Sequence, residues 1–261
     1  MRALKIAATG MDAQQTRVEV ISNNLANMNT TAYQARRAEF SDLHYQQVAA
    51  PGSITSETGT VLPTGIQLGT GVRTAAVHMR IEQGAVAETG AELDLAVEGS
   101  GYFEIELPSG DAAYTRDGSF ARNNDGEIVT SEGYEVAGGI TIPEDARRVQ
   151  INADGEVFAF FDGQVDGQQI GQIDLVTFIN EKGLEAIGDN LFRETTASGA
   201  PNSGGPGEDG RGTLRQGFLE TSSVDVVAEI TDLIQAQRGY ELNARVVSAA
   251  DEILAATVQI R

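Results

Sequence analysis

Apolar residues near the start of the chain recur with the period of a helix. One row repeats every seven residues and contains Leu4, Met11, Val18 and Leu25; a second row, three residues later, contains Ala7, Gln14, Ile21 and Met28. Two such rows predict an amphipathic helix whose seam packs on another helix. Asn and Thr side chains at 27–31 compete for backbone hydrogen bonds, so we expect the helix to end there.

The end of the chain repeats this pattern over residues 224–258. One row contains Val226, Leu233, Tyr240, Val247 and Leu254, and the other contains Ile230, Gln237, Ala244, Asp251 and Val258. Ser222 and Ser223 are candidate N-caps. Two interpretations stay open: both helices pack on the protein's own core, or other copies cover their seams. The polar seam residues Gln14, Gln237 and Asp251 favour the second, because single polar seam residues fix register and partner number.

Between these segments the pattern changes to that of a β protein. Residues 41–70 are rich in Thr, Ser, Gly and Gln and are predicted to be extended or irregular. Short β-type runs follow at 93–97, 102–107, 150–152, 156–161 and 175–179, separated by Asp-Gly and Glu-Gly pairs that are typical of hairpins. Residues 197–212 are predicted to form a surface loop.

The predicted fold class is α+β. It consists of a discontinuous, coiled-coil-like helical domain formed by residues 1–30 and 225–261, an extended connector over 31–71, and a β-rich domain over 72–224.

The charge of the chain is concentrated in its middle. Of the net charge of −20, residues 1–40 contribute +2 (5 basic, 3 acidic), residues 215–261 contribute −3 (4 basic, 7 acidic), and residues 41–214 contribute −19 (9 basic, 28 acidic). An acidic surface repels nucleic acid and anionic lipid, and the chain has no run of 18 apolar residues. We therefore expect neither nucleic-acid binding nor membrane insertion.

Catalytic and metal-binding patterns are missing from the sequence. There is no cysteine, and the two histidines, His44 and His78, do not occur in a metal-binding spacing. The Gly-x-Gly pairs at 69–71 and 99–101 lack the third glycine of a dinucleotide loop. The segment 123–127 resembles part of a calcium loop, but such a loop would also need a ligand at position 121, which is Ala121. A hairpin turn is therefore predicted. The sequence predicts no catalytic residue, cofactor or metal and no enzyme activity; a periplasmic hydrolase with an unusual site and a monomeric binding module remain as alternatives.

Three stretches carry a resemblance to a known family. They are SNNLANMNTTAY at 22–33, LDLAVEGSGYF at 93–103 with YTRDGSF at 114–120, and GFLETSSV at 217–224 with QRGYELNA at 237–244. In order and spacing they resemble the axial (rod and hook) proteins of the bacterial flagellum. The signature residues are Asn24, Leu25, Ala26, Asn27, Thr30, Tyr33, Gln237, Arg238, Tyr240 and Asn243. The family usually has glycine at the position of Ala32, which argues against a positive φ there.

The resemblance implies a structural subunit that assembles with other copies through its terminal helices. The assembly residues would be Leu4, Met11, Val18, Ile21, Leu25, Met28, Ile230, Leu233, Tyr240, Val247, Leu254 and Val258. Length and the segment 51–73 resemble the distal rod members, which form a hollow, rigid driveshaft across the periplasm and transmit torque to the hook. A proximal rod or hook protein is the alternative.

The resemblance also implies a location and a set of partners. The location is the basal body, in the rod that spans the periplasm. Besides other copies, the implied partners are proximal rod proteins, hook and hook-junction proteins, P-ring and L-ring proteins, and the flagellar export apparatus. The chain would pass through that apparatus unfolded and without a cleaved signal.

Overall fold

The computed structural model of the chain describes residues 2–51, 64–163 and 166–259. These residues form two compact units. The first unit comes from the described parts of 1–26, 36–78 and 225–261, and the second from 27–35 and 79–224. Helices lie at both ends of the chain and strands fill the middle, which confirms the α+β fold class.

The first unit contains both long helices. Helix α1 spans Arg2–Ala26 and helix α2 spans Val226–Gln259; the side chains of α2 are described up to residue 256. Asp225 caps α2, because its Oδ1 accepts hydrogen bonds from the backbone N–H groups of Val227 (3.0 Å) and Ala228 (3.1 Å). Those groups have no partner within the helix. The cap is therefore Asp225, and the prediction of Ser222 or Ser223 was wrong.

Four strands of the first unit form what we call the ribbon. They are β1 (Arg36–Asp42), β2 (Gln46–Ala49), β3 (Ile66–Leu68) and β4 (Val72–Met79, whose last residue groups with the second unit). β1 pairs with β4, and β2 pairs antiparallel with β3. Between the two pairs, the Leu43 N–H donates to the Gly71 carbonyl at 2.9 Å and the Thr70 hydroxyl donates to the His44 carbonyl at 2.7 Å.

The ribbon adds pairing that the sequence pattern did not reveal, and it shifts a predicted boundary. Residues 41–70 were predicted to be extended or irregular, and part of this stretch is paired strand; because its polar and small residues carry little apolar alternation, the pattern did not indicate the pairing. The β-rich domain was predicted to begin at residue 72, whereas β4 up to His78 groups with the helices. Residues 52–63 of the predicted connector lie outside the described residues.

The described residues of the second unit contain sixteen short strands. They are β5 (Val86–Glu88), β6 (Leu95–Glu98), β7 (Tyr102–Glu106), β8 (Ala112–Thr115), β9 (Ala121–Arg122), β10 (Ile128–Val129), β11 (Glu135–Val136), β12 (Ala146–Ile151), β13 (Glu156–Phe161), β14 (Gln168–Gln172), β15 (Leu175–Thr177), β16 (Glu185–Gly188), β17 (Leu191–Arg193), β18 (Asn202–Gly204), β19 (Thr213–Gln216) and β20 (Phe218–Glu220), with a 3-10 turn at Glu181–Gly183. The main sheet has the order β16-β17-β8-β7-β11-β10-β9, and β15 joins it by pairing with β7 and β18. β12, β13 and β14 form a separate sheet, while β19 pairs with β6 and β20 with β5.

Two turns of this unit use the same side-chain device. Asn123 Oδ1 accepts the N–H groups of Asp125 (2.9 Å) and Glu127 (2.8 Å), while Asn123 Nδ2 donates to the Glu127 carboxylate at 2.8 Å. Asn152 makes the matching three bonds to residues 154 and 156. The Asn side chain closes each turn, and its Nδ2 hydrogen bond occupies the Glu carboxylate that a calcium ion would need as a ligand. The segment 123–127 is thus a turn, as predicted.

The stretch 197–212 was predicted to be an exposed loop, and this is wrong in part. It contains strand β18, and Ser198 and Arg211 are buried. The Arg211 guanidinium donates to the Ser203 carbonyl (3.1 Å) and to the Asn202 side chain (3.2 Å). A strand of sequence Asn-Ser-Gly has no β-branched or aromatic residue, so neither propensity nor alternation predicts it.

A buried ion pair joins two residues of the second unit that are distant in sequence: Arg116, directly after β8, and Glu220, at the end of β20. Arg116 Nε donates to Glu220 Oε2 at 2.7 Å, and both side chains are almost completely buried. The other nitrogens of Arg116 donate to the carbonyls of Gly101 (3.2 Å) and Gly99 (2.6 Å), and Glu220 Oε1 accepts the Gly84 N–H at 2.9 Å. Every charged atom of the pair therefore has a partner, which burial of a charge requires.

Candidate assembly surface

The helices α1 and α2 pack side by side and antiparallel. Gly10 lies against Asn243, Gln14 lies against Gly239, and Asn24 lies against Glu229, so contacts advance along α1 while they retreat along α2. A Cβ added to Gly10 would lie 2.9 Å from Asn243 Nδ2, and one added to Gly239 would lie 3.1 Å from Gln14 Cδ. Each helix thus offers a glycine to an amide side chain of the other.

This reciprocal contact explains why a glycine, Gly239, lies inside α2 and a polar residue, Gln14, lies on the seam of α1. Glycine costs about 1 kcal/mol in a helix interior, but Gly239 leaves room for the Gln14 side chain. The Asn243 amide donates to the Gly239 carbonyl at 3.0 Å, so it is held in place against Gly10. The polar residue Gln14, expected to set register, does lie in the contact with α2.

Charged and amide groups fix the other half of the helix pair. Arg17 forms an ion pair with Asp232 at 2.9 Å. The buried Asn24 side chain accepts the Arg36 N–H and donates to the Arg36 carbonyl, both at 2.8 Å, and also donates to Glu229 Oε1 at 3.1 Å. Asn24 therefore joins the end of α1 to both the ribbon and α2. The sequence placed Asn24 only in the signature, and Arg17, Glu229 and Asp232 were missed.

The predicted seam of α1 lies mostly at its packed side. Leu4, Met11, Val18 and Leu25 are half-buried and Ile21 is buried, while Met28 follows the end of the helix and is exposed. One row of the α2 seam is also half-buried: Leu233, Val247 and Leu254, with Tyr240 at 43% exposure. The side chain of Val258 is outside the described residues.

Most of the second row of the α2 seam lies away from α1. Ile230, Gln237 and Asp251 are exposed and Ala244 is half-buried, whereas the residues one position before these four, Glu229, Ala236, Asn243 and Ala250, are all half-buried or buried. The packed stripe thus follows the first row by three residues, whereas the prediction used four. Ala236 is completely buried, as a small residue at close helix contact should be.

Apolar side chains remain exposed on both parts of the first unit. On α2 they are Val227, Ile230, Ile234, Tyr240, Leu242, Val246 and Ile253, with exposures between 43% and 76%. On the ribbon they are Phe40, Tyr45, Val48, Ile66, Leu68 and Val77. Clusters of exposed apolar side chains mark surfaces that bind other macromolecules.

The remaining signature residues shape the turn that follows α1. The Thr30 hydroxyl and N–H donate to the side chain (3.1 Å) and carbonyl (3.2 Å) of Asn27, and the Tyr33 carbonyl accepts the Ser223 N–H at 3.0 Å. Ala32 has φ = 53°, so the prediction that alanine argues against positive φ here was wrong. The buried Ala32 donates its N–H to the Glu220 carbonyl at 2.9 Å, and this contact holds the strained backbone. Gln237 and Arg238 are exposed on α2.

No three His, Asp or Glu side chains within the described residues are arranged to hold a metal. His78 lies 3.5 Å from Glu39 across the ribbon. Burial raises the pKa of Tyr114 to about 12, and burial together with the charge of Glu181 raises the pKa of Tyr102. Both tyrosines belong to a packed aromatic cluster with Phe178. Over its described residues, neither helix has a stretch long and apolar enough to cross a bilayer.

Parts of the chain match models of known protein families. Three family models match the chain: "Flagella basal body rod protein" at residues 4–34, "Flagellar hook protein FlgE/F/G D1 domain" at 96–159, and "Flagellar basal body rod FlgEFG protein C-terminal" at 215–260. The first and last cover most of α1 and α2.

Relatives match over the whole length of the chain. The flagellar basal-body rod protein FlgG of Caulobacter vibrioides is 54% identical over 261 residues, covering 100% of both chains. The proteins of the same name from Agrobacterium fabrum and Bacillus subtilis are 49% identical (97% of both chains) and 39% identical (100% of this chain and 99% of the other). The chain belongs to the flagellar basal-body rod protein family and is a structural subunit of the rod.

Proposed function

We propose that this chain builds the distal rod by self-assembly into a hollow, rigid driveshaft that crosses the periplasm and transmits torque to the hook. In this proposal it has no enzyme activity. The observation that carries the proposal is the apolar surface left exposed on α2 after α1 has covered its packed side. A helix that is apolar on two sides needs a second partner, and a filament supplies that partner as further copies.

The proposal assigns the assembly role to residues 1–30 and 225–261, with neighbours at the ends of the rod and around it. The partners are proximal rod proteins at one end, hook and hook-junction proteins at the other, the P-ring and L-ring proteins around the rod, and the export apparatus that delivers the chain. The mostly acidic middle, with 28 acids and 9 bases in residues 41–214, would keep individual copies apart before assembly.

A complementation experiment tests the assembly role. In a strain that lacks its own copy, the full-length chain should restore rods that are visible in basal bodies by electron microscopy, together with motility. Val227→Glu with Ile234→Glu should abolish rods, because both side chains are exposed and apolar. The matched control is Ser248→Glu, an exposed polar residue on the same helix; it should leave the rods intact. Full-length rods in the deletion strain itself would refute the proposal.

The ribbon is proposed to stiffen the rod. Residues 41–71 include the paired strands β2 and β3, whose Val48, Ile66 and Leu68 side chains are exposed and available for lateral contacts. Deleting 45–69 should yield a softer rod that curves in electron micrographs. Rods of unchanged curvature and stiffness would disprove this role while leaving the assembly role standing.

A further inference from the structure

The exposed surface of α2 contains two apolar patches with the same spacing. Patch 1 consists of Val227, Ile230 and Ile234, and patch 2 consists of Val246, Ala249 and Ile253; all six side chains are exposed. Both triplets follow the pattern i, i+3, i+7. Corresponding members are nineteen residues apart: 227 to 246, 230 to 249 and 234 to 253.

The spacing fixes how the patches are oriented. Nineteen residues of α-helix correspond to a rise of about 28 Å and a rotation of about 100° beyond five whole turns. The two patches therefore lie at different heights on α2 and face different directions. One helix can contact two separate neighbours through them, one at each patch.

The surroundings of patch 1 identify it as an interface. Between Val226 and Gln237 the only charged residues are Glu229 and Asp232. Glu229 accepts a bond from Asn24 and Asp232 one from Arg17, both on α1. Asp232 keeps 49% of its side chain exposed, but its charge is paired with Arg17. The other exposed residues of this stretch are uncharged: Val227, Ala228, Ile230, Thr231, Ile234, Gln235 and Gln237. In a protein with a net charge of −20, this surface presents only acids that are already bonded to α1, so another acidic copy meets little repulsion there.

We infer that patch 1 of one copy packs against patch 2 of the next, with the two α2 helices parallel and offset by about 28 Å. Identical spacing lets the ridge of one triplet fit between the side chains of the other. The contact is heterologous, because the two surfaces differ in position and direction, so each copy keeps one patch of each kind for the next neighbour. Such contacts generate an open array rather than a closed dimer. The inference rests on the proposed self-assembly and specifies its geometry.

Disulfide crosslinking tests the pairing, since the chain has no cysteine of its own. Full-length chains with Ile230→Cys or Ala249→Cys are co-expressed in the deletion strain, and basal bodies are oxidised and run on a non-reducing gel. We expect at least tenfold more dimer from the mixture than from either variant alone, and a ladder of oligomers from the double variant. Ser248→Cys in place of Ala249→Cys is the matched control; it lies about 100° away around the helix and should give little dimer.

Other results would overturn the pairing. Dimers from Ile230→Cys alone would mean that patch 1 meets itself, and preferential crosslinking of Ile230→Cys to Val48→Cys would mean that the ribbon covers it. Rods that assemble without the mixed dimer would sink this inference and leave the proposed function intact. If the unmodified chain failed to restore rods in the deletion strain, that result would instead count against the proposed function.

A charge exchange gives an independent test if the cysteine variants do not assemble. Ile230→Glu should abolish motility, and adding Ala249→Lys should restore it, because the new charges would face each other across the contact. Restoration by Ser248→Lys to the same extent, or no restoration by Ala249→Lys, would refute the pairing.

Discussion

Breaking the buried ion pair between Arg116 and Glu220 should destabilise the second unit strongly. Removal of one partner leaves an uncompensated charge in an almost completely buried site, a change that costs about 3–5 kcal/mol. Arg116→Met also removes the donors to the Gly99 and Gly101 carbonyls, and Glu220→Met removes the acceptor of the Gly84 N–H. Either substitution should therefore lower the free energy of unfolding by about 3–5 kcal/mol, a large part of the total stability of a domain.

The double variant separates the charge effect from the lost hydrogen bonds. With both side chains replaced by Met, no buried charge remains, but the backbone groups of Gly84, Gly99 and Gly101 lose their partners at a cost of about 1 kcal/mol each. The double variant should therefore cost about 3 kcal/mol, well below the sum of the two single variants. The matched control is the exposed pair Arg193–Glu185, at 2.9 Å with both side chains about half exposed; Arg193→Met should cost less than about 1 kcal/mol.

The assay is urea unfolding of the full chain followed by near-ultraviolet circular dichroism. That signal reports the packed cluster of Tyr102, Tyr114 and Phe178, which belongs to the second unit. It therefore separates this unit from the helices, whose unfolding need not coincide. Single variants that cost less than about 1 kcal/mol, or a double variant whose cost equals the sum of the singles, would refute the reasoning.

Three further predictions concern single sites. Gly71 has φ = 122°, and an added Cβ would collide with the Thr9 hydroxyl. Gly71→Ala should therefore destabilise the first unit by more than about 1 kcal/mol in thermal unfolding. Gly69→Ala is the control, because its Cβ would meet nothing closer than 3.5 Å; it should change the stability little, and equal effects of the two substitutions would contradict the prediction. Asn24→Ala removes three hydrogen bonds and should lower the free energy of unfolding by about 2–3 kcal/mol, measured by urea unfolding followed by far-ultraviolet circular dichroism. The exposed Ser22→Ala should change it by less than about 0.5 kcal/mol. An equally small effect of Asn24→Ala would show that its hydrogen bonds to Arg36 and Glu229 are dispensable. Burial raises the pKa of Tyr114 to about 12, so the unfolded chain loses the Tyr114 proton at a lower pH than the folded chain. The stability that protonated Tyr114 contributes is therefore complete below about pH 10 and falls as the pH rises towards 12. Tyr114→Phe should flatten this alkaline decline in the free energy of unfolding, the exposed Tyr45→Phe should not, and identical alkaline unfolding curves for the two variants would reject the assignment.

Both terminal helices could be predicted from periodicity, but the rotation of α2 could not. At the start of α2 the pattern offers apolar Ile230 and acidic Glu229 as neighbours in the sequence, and hydrophobicity alone selects Ile230 for the packed side. The structure places Glu229 against α1, because the buried Asn24 donates a hydrogen bond to it. A buried polar contact needs a partner from the other end of the chain, and the local pattern contains no information about that partner.

The backbone conformation of Ala32 and the strand pairing of the ribbon also could not be predicted from local sequence patterns. Left-handed backbone costs a non-glycine residue about 1–2 kcal/mol, so local rules reject φ = 53° at Ala32. The hydrogen bond to Glu220 and burial of the methyl group outweigh that cost. In the ribbon, β2 and β3 carry few residues with high β propensity, and their pairing depends on partners some twenty residues away. In contrast, Glu156–Phe161 is rich in β-branched and aromatic residues and lies between two Asp-Gly pairs, and it was predicted with its observed bounds.

The apolar surface of α2 also bears on when the rod can form. The side chains of patches 1 and 2 are roughly half exposed, and full burial of a Val or Ile contributes about 1.5–3 kcal/mol. Covering one patch 1 and one patch 2 therefore contributes on the order of 6 kcal/mol, which is comparable to the cost of about 4–15 kcal/mol for immobilising a subunit. A single patch 1 to patch 2 contact between two copies is then marginal. Stable addition of a copy needs further contacts, such as those that the exposed Val48, Ile66 and Leu68 side chains of the ribbon can make. Pairs of copies should therefore dissociate readily, whereas a copy that also contacts a lateral neighbour in an existing assembly should stay bound.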